Sequence, residues 1–318
     1  MKSQFKFKRR IDFYQYMVYI IFAFVLVFFA IWLGPSFFSS SNLLNITRQT
    51  AMVSVMAVAM TFVIACGQID LSIGAVVALS SLLAAWVLER SNNLVLAITL
   101  ALLVGTAVGI VNGLLVTLLK IPAFLATLGM MSIIRGSAMW LTDTKAIAIR
   151  NDTFNYVFGM GTVAGIPIVL IWTLLALLLG HVALKYLAYG KKVLAIGGNQ
   201  SSALYSGIRV KQIKVIVFAV MGFAASFAGI IYAARMKTAR YTYGDGDEMN
   251  VIAAVVLGGT SMAGGTGNII GSVVGSLLLG VINNGLIIGG LDTSQQQVVR
   301  GIIIILAVAL STFRTKER

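Results

Sequence analysis

Hydrophobic residues run along this chain in long unbroken blocks separated by short polar intervals. Ten apolar segments can be drawn, at about 14–33, 46–66, 71–88, 94–119, 122–141, 166–187, 214–234, 250–263, 268–289 and 297–313. Most approach the ~20 residues that an α-helix needs to cross the ~30 Å hydrocarbon core. None shows the alternating ~10-residue pattern of a membrane β-strand. Only helices and closed barrels satisfy their backbone polar groups inside lipid. The pattern therefore predicts an all-α polytopic membrane protein, with about ten transmembrane helices in a single domain over residues 1–318. The second, third, eighth and ninth segments are short or interrupted by glycine. Whether 46–88 and 250–289 hold continuous or broken helices stays open at this point.

Composition agrees. Of 318 residues, 59% are hydrophobic and 11% charged, against ~25% charged in soluble domains. The net charge of +14 does not point to nucleic acid, because the basic residues sit in short intervals between spans with few aromatics to stack on bases. Such charges set orientation instead. With the N-terminus inside, the cytoplasmic face receives Lys2, Lys6, Lys8, Arg9, Arg10, Lys120, Lys185, the interval 190–214, Arg314, Lys316 and Arg318, against the acids Asp12 and Glu317. The outer face holds Glu89, Asp143, Asp152, Asp245, Asp247, Glu248 and Asp292 against Arg90, Lys145, Arg150, Arg235, Lys237 and Arg240. Ten spans return the C-terminus to the cytoplasm, so the parity closes. The basic start reads as the flank of a retained first span rather than a signal peptide: its apolar run is long, and Gly34-Pro35-Ser36 follows where a cleavage site would stand. The longest interior loops, 142–165 and 235–250, are outer solvated connections or contact surfaces.

One interval stands apart. Residues 190–214 carry Lys191, Lys192, Arg209, Lys211 and Lys214 and no acid. A short amphipathic helix, Gln200 to Tyr205, is predicted there, bracketed by Gly197-Gly198 and Ser206-Gly207-Ile208. A basic, glycine-bracketed helix between spans is suited to docking a cytoplasmic partner.

Candidate chemistry is sparse. Asp70 lies at membrane depth, where an ionisable group marks a pathway or a structural partner. Gly67 permits a backbone break beside it, and Asp70 followed by Ser72 also suits an N-cap of the third helix. The glycine-rich run 258–271 matches neither a dinucleotide fingerprint nor a phosphate loop. It suits tight turning and close helix contact, with Asn268 capping the ninth helix. Arg135 and Arg300 read as snorkelling or carbonyl-pairing groups, and His181 and Cys66 as packing residues. No catalytic constellation, metal set or ATP-binding motif stands in the sequence. A weak internal echo links 109–115 to 280–287 and 133–136 to 298–301.

Four ordered stretches carry a family resemblance: GQIDLSIGAVVAL at 67–79, NGLLVTLLKIPAFLATLGMM at 112–131, AIGGNQSSALYSGI at 195–208 and AAVVLGGTSMAGGTGNIIGSVVGSLLLGVINNGL at 253–286. They resemble the permease subunits of bacterial ABC importers for monosaccharides, the ribose-permease type of carbohydrate uptake family 2. The resemblance implies the ABC importer permease fold in the bacterial cytoplasmic (inner) membrane. It implies a homo- or heterodimer of permeases, a cytoplasmic tandem ATPase that binds ATP and Mg, and an extracytoplasmic sugar-binding protein. The chain itself would carry no cofactor, metal or catalytic residue. Carried over by position, Gly197, Gly198, Asn199, Ala203, Ser206, Gly207 and Ile208 form the ATPase-coupling loop; Ser201 and Ser202 depart from the alanines common there. Asp70, Ser72, Asn112, Asn283 and Asn284 are the expected path or gate residues. Alternatives are a nucleoside or furanose signalling molecule as cargo, or an ion-coupled secondary carrier. The carrier would want several embedded acids, of which only Asp70 qualifies on sequence.

Overall fold

The computed structural model describes the backbone of residues 17–316. Lys2, Lys6, Lys8, Arg9, Arg10, Asp12, Glu317 and Arg318 lie outside the described residues, as do the side chains of Arg314 and Lys316. The helices are α1 (Met17–Leu33), α2 (Ser40–Ala65), α3 (Ile73–Ser91), α4 (Leu94–Thr117), α5 (Ala123–Thr142), α6 (Asp152–Asn155), α7 (Ile168–Lys185), α8 (Ala188–Gly198), α9 (Gln200–Tyr205), α10 (Val210–Met236), α11 (Asp247–Leu257), α12 (Ile269–Ile288) and α13 (Thr293–Lys316). Among the described residues, eight of them are long and apolar enough to cross a membrane. Each of the ten sequence segments contains one helix, with shifted ends. The second starts earlier, at Ser40, because the Ser39 hydroxyl accepts the Asn42 amide at 3.3 Å. Both α2 and α12 are continuous.

The centre of the bundle is α2. Every residue from Ser54 to Ala65 is buried, as expected for a helix that is apolar on all sides. Around it stand α7, α8, α10, α11 and α12. Between α4 and α10 the approach is close enough to exclude side chains. Gly105, Gly109 and Gly113 recur every fourth residue, and a methyl group on any of them would overlap α10 at Ser226, Phe218 or Val215. This is the small-xxx-small seam by which helices pack where lipid removes the hydrophobic drive. The outer helices turn Phe24, Ile31, Leu103, Ile133 and Leu179 away from the bundle, a surface matched to acyl chains.

One end of the bundle carries α8 and α9. The opposite end is capped by the segment after α5. There β1 (Ile147–Ala148) pairs antiparallel with β4 (Thr238–Ala239), β2 (Thr162–Val163) pairs with β3 (Ile166–Pro167), and Phe154 and Phe158 pack onto Leu82, Leu88, Ala233 and Ala234. This loop is a packed lid, so the expectation of a merely solvated connection does not hold for it.

The second long loop departs further. After β4 the chain turns into the bundle, and Gly244 packs against Gly74 and Val77 of α3. Val77 lies about 21 Å along α3 from its Ser91 end. The next helix, α11, thus starts inside the protein and has 11 residues, about 16 Å or half a bilayer core. The apolar segment 250–263 is not one span: it is this half-helix followed by the glycine-rich loop 258–268. Asp247 and Glu248, expected on a solvated outer loop, form the first turn of α11.

Candidate coupling surface and embedded polar clusters

Helix α9 has the bounds that the amphipathic pattern predicts. Asn199 is extended, and its Oδ1 accepts the Ser202 amide at 2.9 Å, capping the helix. At the other end the Ser206 hydroxyl donates to the Ser202 carbonyl at 2.9 Å. Gly207 takes φ +79°, a left-handed conformation that glycine adopts without cost, and the Ile208 amide returns to the Ala203 carbonyl at 3.1 Å. Ala203 is buried, whereas Leu204 and Tyr205 are 61% and 90% exposed. The helix thus offers an apolar and aromatic ridge framed by exposed Lys191, Lys192, Arg209 and Lys211. Lys214 donates to Gln200 Oε1 at 2.8 Å, tying α10 to α9.

The base of this surface is rigid. Gly197, the tenth residue of α8, lies so close to the end of α2 that a methyl group there would overlap the Ala65 carbonyl and sit 2.6 Å from the Gly265 amide nitrogen. Gly264 and Gly265, both at positive φ, bring the 258–268 loop against Gly197 and Gly198. On α8, Tyr189 stacks on Phe62 of α2 with centroids 5.8 Å apart. Burial first, and the Cys66 sulfur second, pushes the Tyr189 phenol above its ordinary range, so it stays protonated.

The expected path residues fall into separate places. Asp70, Ser72 and Asn112 form one buried cluster. Asp70 is 1% exposed; its Oδ1 accepts from the Ser72 amide at 2.9 Å and the Ser72 hydroxyl at 2.7 Å. Asn112 Nδ2 in turn donates to Ser72 Oγ at 2.9 Å, and Thr127 Oγ1 accepts the Leu71 amide at 3.0 Å. Asp70 is not the cap of α3, since Ser72 occupies that position without a side-chain cap bond. The carboxylate instead closes an Asx turn two residues long, and the cluster fastens the 66–72 connection to α4 and α5. Asn284 lies elsewhere, exchanging amide hydrogen bonds of 3.0 Å with Asn42 of α2. Asn283, its neighbour, points elsewhere again, accepting from Arg300 of α13 at 3.3 Å.

Asn283 lines a cavity of about 300 Å³ between α2, α10, α11, α12 and α13. Asp247, 7% exposed, contributes its carboxylate, with Oδ2 accepting the Tyr232 hydroxyl at 2.7 Å. Arg235, Asn250, Gln49 and Arg300 complete the polar wall. Sequence reading missed Asp247 and Tyr232 as members of an embedded site. The available signal was the short eighth segment directly preceded by acids and glycines. Arg135, from α5, donates to the Tyr241 carbonyl, to the Tyr243 carbonyl at 3.2 Å, and pairs with Asp245 at 3.5 Å. Its carbonyl partners are those of the descending loop, not of a helix.

The family described as branched-chain amino acid transport system / permease component matches residues 42–308. The ribose import permease protein RbsC of Bacillus subtilis (strain 168) is 42% identical over 288 residues, covering 90% of this chain and 89% of its own. RbsC of Escherichia coli (strain K12) is 41% identical over 281 residues, 87% of each chain. The L-arabinose ABC transporter permease protein AraH of Azospirillum brasilense is 34% identical over 284 residues, 89% of this chain and 84% of its own. No solved structure matches. The family description and the relatives name different cargoes, so membership settles the role and not the solute. The chain belongs to this family of permease components: it is a membrane-spanning transport subunit of the ABC importer type, and not itself an enzyme.

Proposed function

We propose that this permease is half of an ATP-driven importer that carries a monosaccharide of the ribose or arabinose kind into the bacterial cytoplasm. The observation that carries the reading is the exposed Leu204–Tyr205 ridge of α9, braced through Gly197 against the end of α2. A partner that grips the ridge and moves has a stiff lever into the centre of the bundle. In this reading α9 is cytoplasmic and Gly197, Gly198, Asn199, Ala203, Ser206, Gly207 and Ile208 shape it for an ATPase that holds ATP and Mg. A second permease copy completes the membrane unit, and an extracytoplasmic sugar-binding protein delivers the cargo. Closure of the ATPase on ATP pulls α8 and α9, and packed elements transmit this as a switch between two arrangements rather than a continuous bend. The relatives support a sugar as cargo, because proteins 34–42% identical to this chain carry ribose and arabinose in their names.

Reconstitution tests it. Proteoliposomes holding the permease with its ATPase and binding protein accumulate D-ribose or L-arabinose only when ATP is supplied on the α9 side. Uptake by the permease alone on an ion gradient, or uptake of nucleosides in place of sugars, overturns the reading. Tyr205→Glu places a charge on the ridge without touching the core; it abolishes co-purification of the ATPase while membrane insertion is unchanged.

A further inference from the structure

We propose that the cavity bounded by Tyr232, Arg235, Asp247, Asn250, Asn283 and Arg300 is a binding site for one monosaccharide within each permease chain. The proposal rests on the sugar-importer reading for the identity of the ligand, and on the cavity alone for its size and polarity.

Size comes first. About 300 Å³ stands at the lower end of the ~300–1,000 Å³ of small-molecule sites, so the cavity has room for a single sugar ring. Charge comes second. Arg235 and Arg300 line the same space as Asp245 and Asp247, and Asp245 is already paired with Arg135, so a guest meets groups of both signs rather than a field of one. Hydrogen-bonding capacity comes third. A sugar ring needs donors and acceptors in alternation, and here guanidinium donors, carboxylate acceptors and amides that do both converge.

These groups are only partly spent. Among the described residues, ion pairs form at Arg135–Asp245 and Lys145–Asp143; neither Arg235 nor Arg300 is in one, and Arg300 makes a single hydrogen bond, to Asn283 at 3.3 Å. Asp247 Oδ2 holds the Tyr232 hydroxyl, but its Oδ1 meets Asn250 Nδ2 only at 3.5 Å. Charged groups at membrane depth are costly unless they serve a pathway or a partner. Arg235, Arg300 and Asp247 share the cavity without an ion pair among them, and so keep hydrogen-bonding sites to offer a guest. The floor is apolar, with Leu279, Ile282 and Leu286, as the C–H face of a sugar requires. The amino end of α11 opens here without a side-chain cap, in the manner of the interrupted helices that bind solutes near the bilayer midplane.

The native chain has one thiol, Cys66, and it is buried, so an engineered cysteine reports on the cavity alone. In nanodiscs holding only the permease, Gln49→Cys is labelled by a small cationic thiol reagent. D-ribose or L-arabinose at about ten times the Kd slows that labelling about tenfold; sucrose at equal concentration does not. Asp247→Asn and, separately, Arg300→Gln in the same background remove the protection while labelling in the absence of sugar continues, which shows that the cavity has survived. Absence of labelling, equal protection by sucrose, or protection that persists in both variants overturns the site. Protection by pentose together with failed ATP-driven uptake leaves the site standing and overturns the importer reading instead.

Discussion

The Gly265 amide donates to the Ala65 carbonyl at 2.9 Å, closing the loop after the half-helix onto the last turn of the central helix. Gly197 of α8 fills the angle between these two groups. Three distant parts of the chain meet at a point where no side chain fits, and this point connects the exposed α9 ridge to both α2 and α11.

Gly197→Val tests that joint. Its Cβ would overlap the Ala65 carbonyl, backbone against backbone, so α8 must shift. Overpacking of this kind costs about 1–3 kcal/mol, and thermal denaturation in detergent reads it as a lower midpoint. At Gly198 the nearest atom to an added Cβ is Gly265 Cα at 3.8 Å, ordinary contact. Gly198→Ala keeps the native midpoint and native ATP-coupled uptake. Equal loss in both variants contradicts the joint.

Much of this was legible in the sequence, and the misses have physical causes. The order of helices, the bounds of α9 and the Asn268 cap, whose Oδ1 accepts the Gly271 amide at 3.0 Å, all follow from local rules of periodicity and capping. The depth of Asp247 does not. A hydropathy pattern counts apolar residues but carries no information on whether a polar stretch stays in water or descends between helices; the descent is held by Arg135, more than a hundred residues away in sequence. Asn283 and Asn284 look alike in a motif, yet adjacent helical positions differ by about 100°, so one reaches the cavity and the other Asn42.

Asp70 separates structure from transport. In Asp70→Asn the Oδ1 acceptor remains, so both bonds from Ser72 survive and the midpoint stays within about 1 kcal/mol of the native value. Asp70→Ala strands the buried Ser72 amide and costs about 1–3 kcal/mol. Uptake by the Asn variant at the native rate fits the fastening role. A normally assembled Asn variant that fails to transport assigns the carboxylate to the path.

Two hydroxyl contacts join α2 to α12: Ser54 to Ser276 at 2.6 Å and Thr61 to Ser272 at 2.8 Å. Ser276, Thr61 and Ser272 each also donate to a helix carbonyl, of Val273, Ala57 and Asn268, so Ser54 alone depends on its partner across the helices. A double-mutant cycle of Ser54→Ala with Ser276→Ala gives a coupling of about 0.6 kcal/mol, the average for such bonds inside membranes. A coupling above about 2 kcal/mol contradicts this account.

Arg135 makes the sharpest test of the half-helix, because a planar guanidinium presents several donors in fixed directions and an ammonium does not. In this chain the fork reaches the carbonyls of Tyr241 and Tyr243 together with Asp245, holding the descending segment inside the bundle. Arg135→Lys keeps the charge but cannot serve all three oxygens. Bonds from a charged donor contribute about 1.5–3 kcal/mol, and every 1.4 kcal/mol is tenfold in an equilibrium. Amide hydrogen exchange across 240–247 therefore accelerates at least about tenfold in Arg135→Lys, while exchange in α9, at the other end of the bundle, keeps its native rate. Unchanged protection at 240–247 means that the glycine contacts with α3 hold the segment on their own.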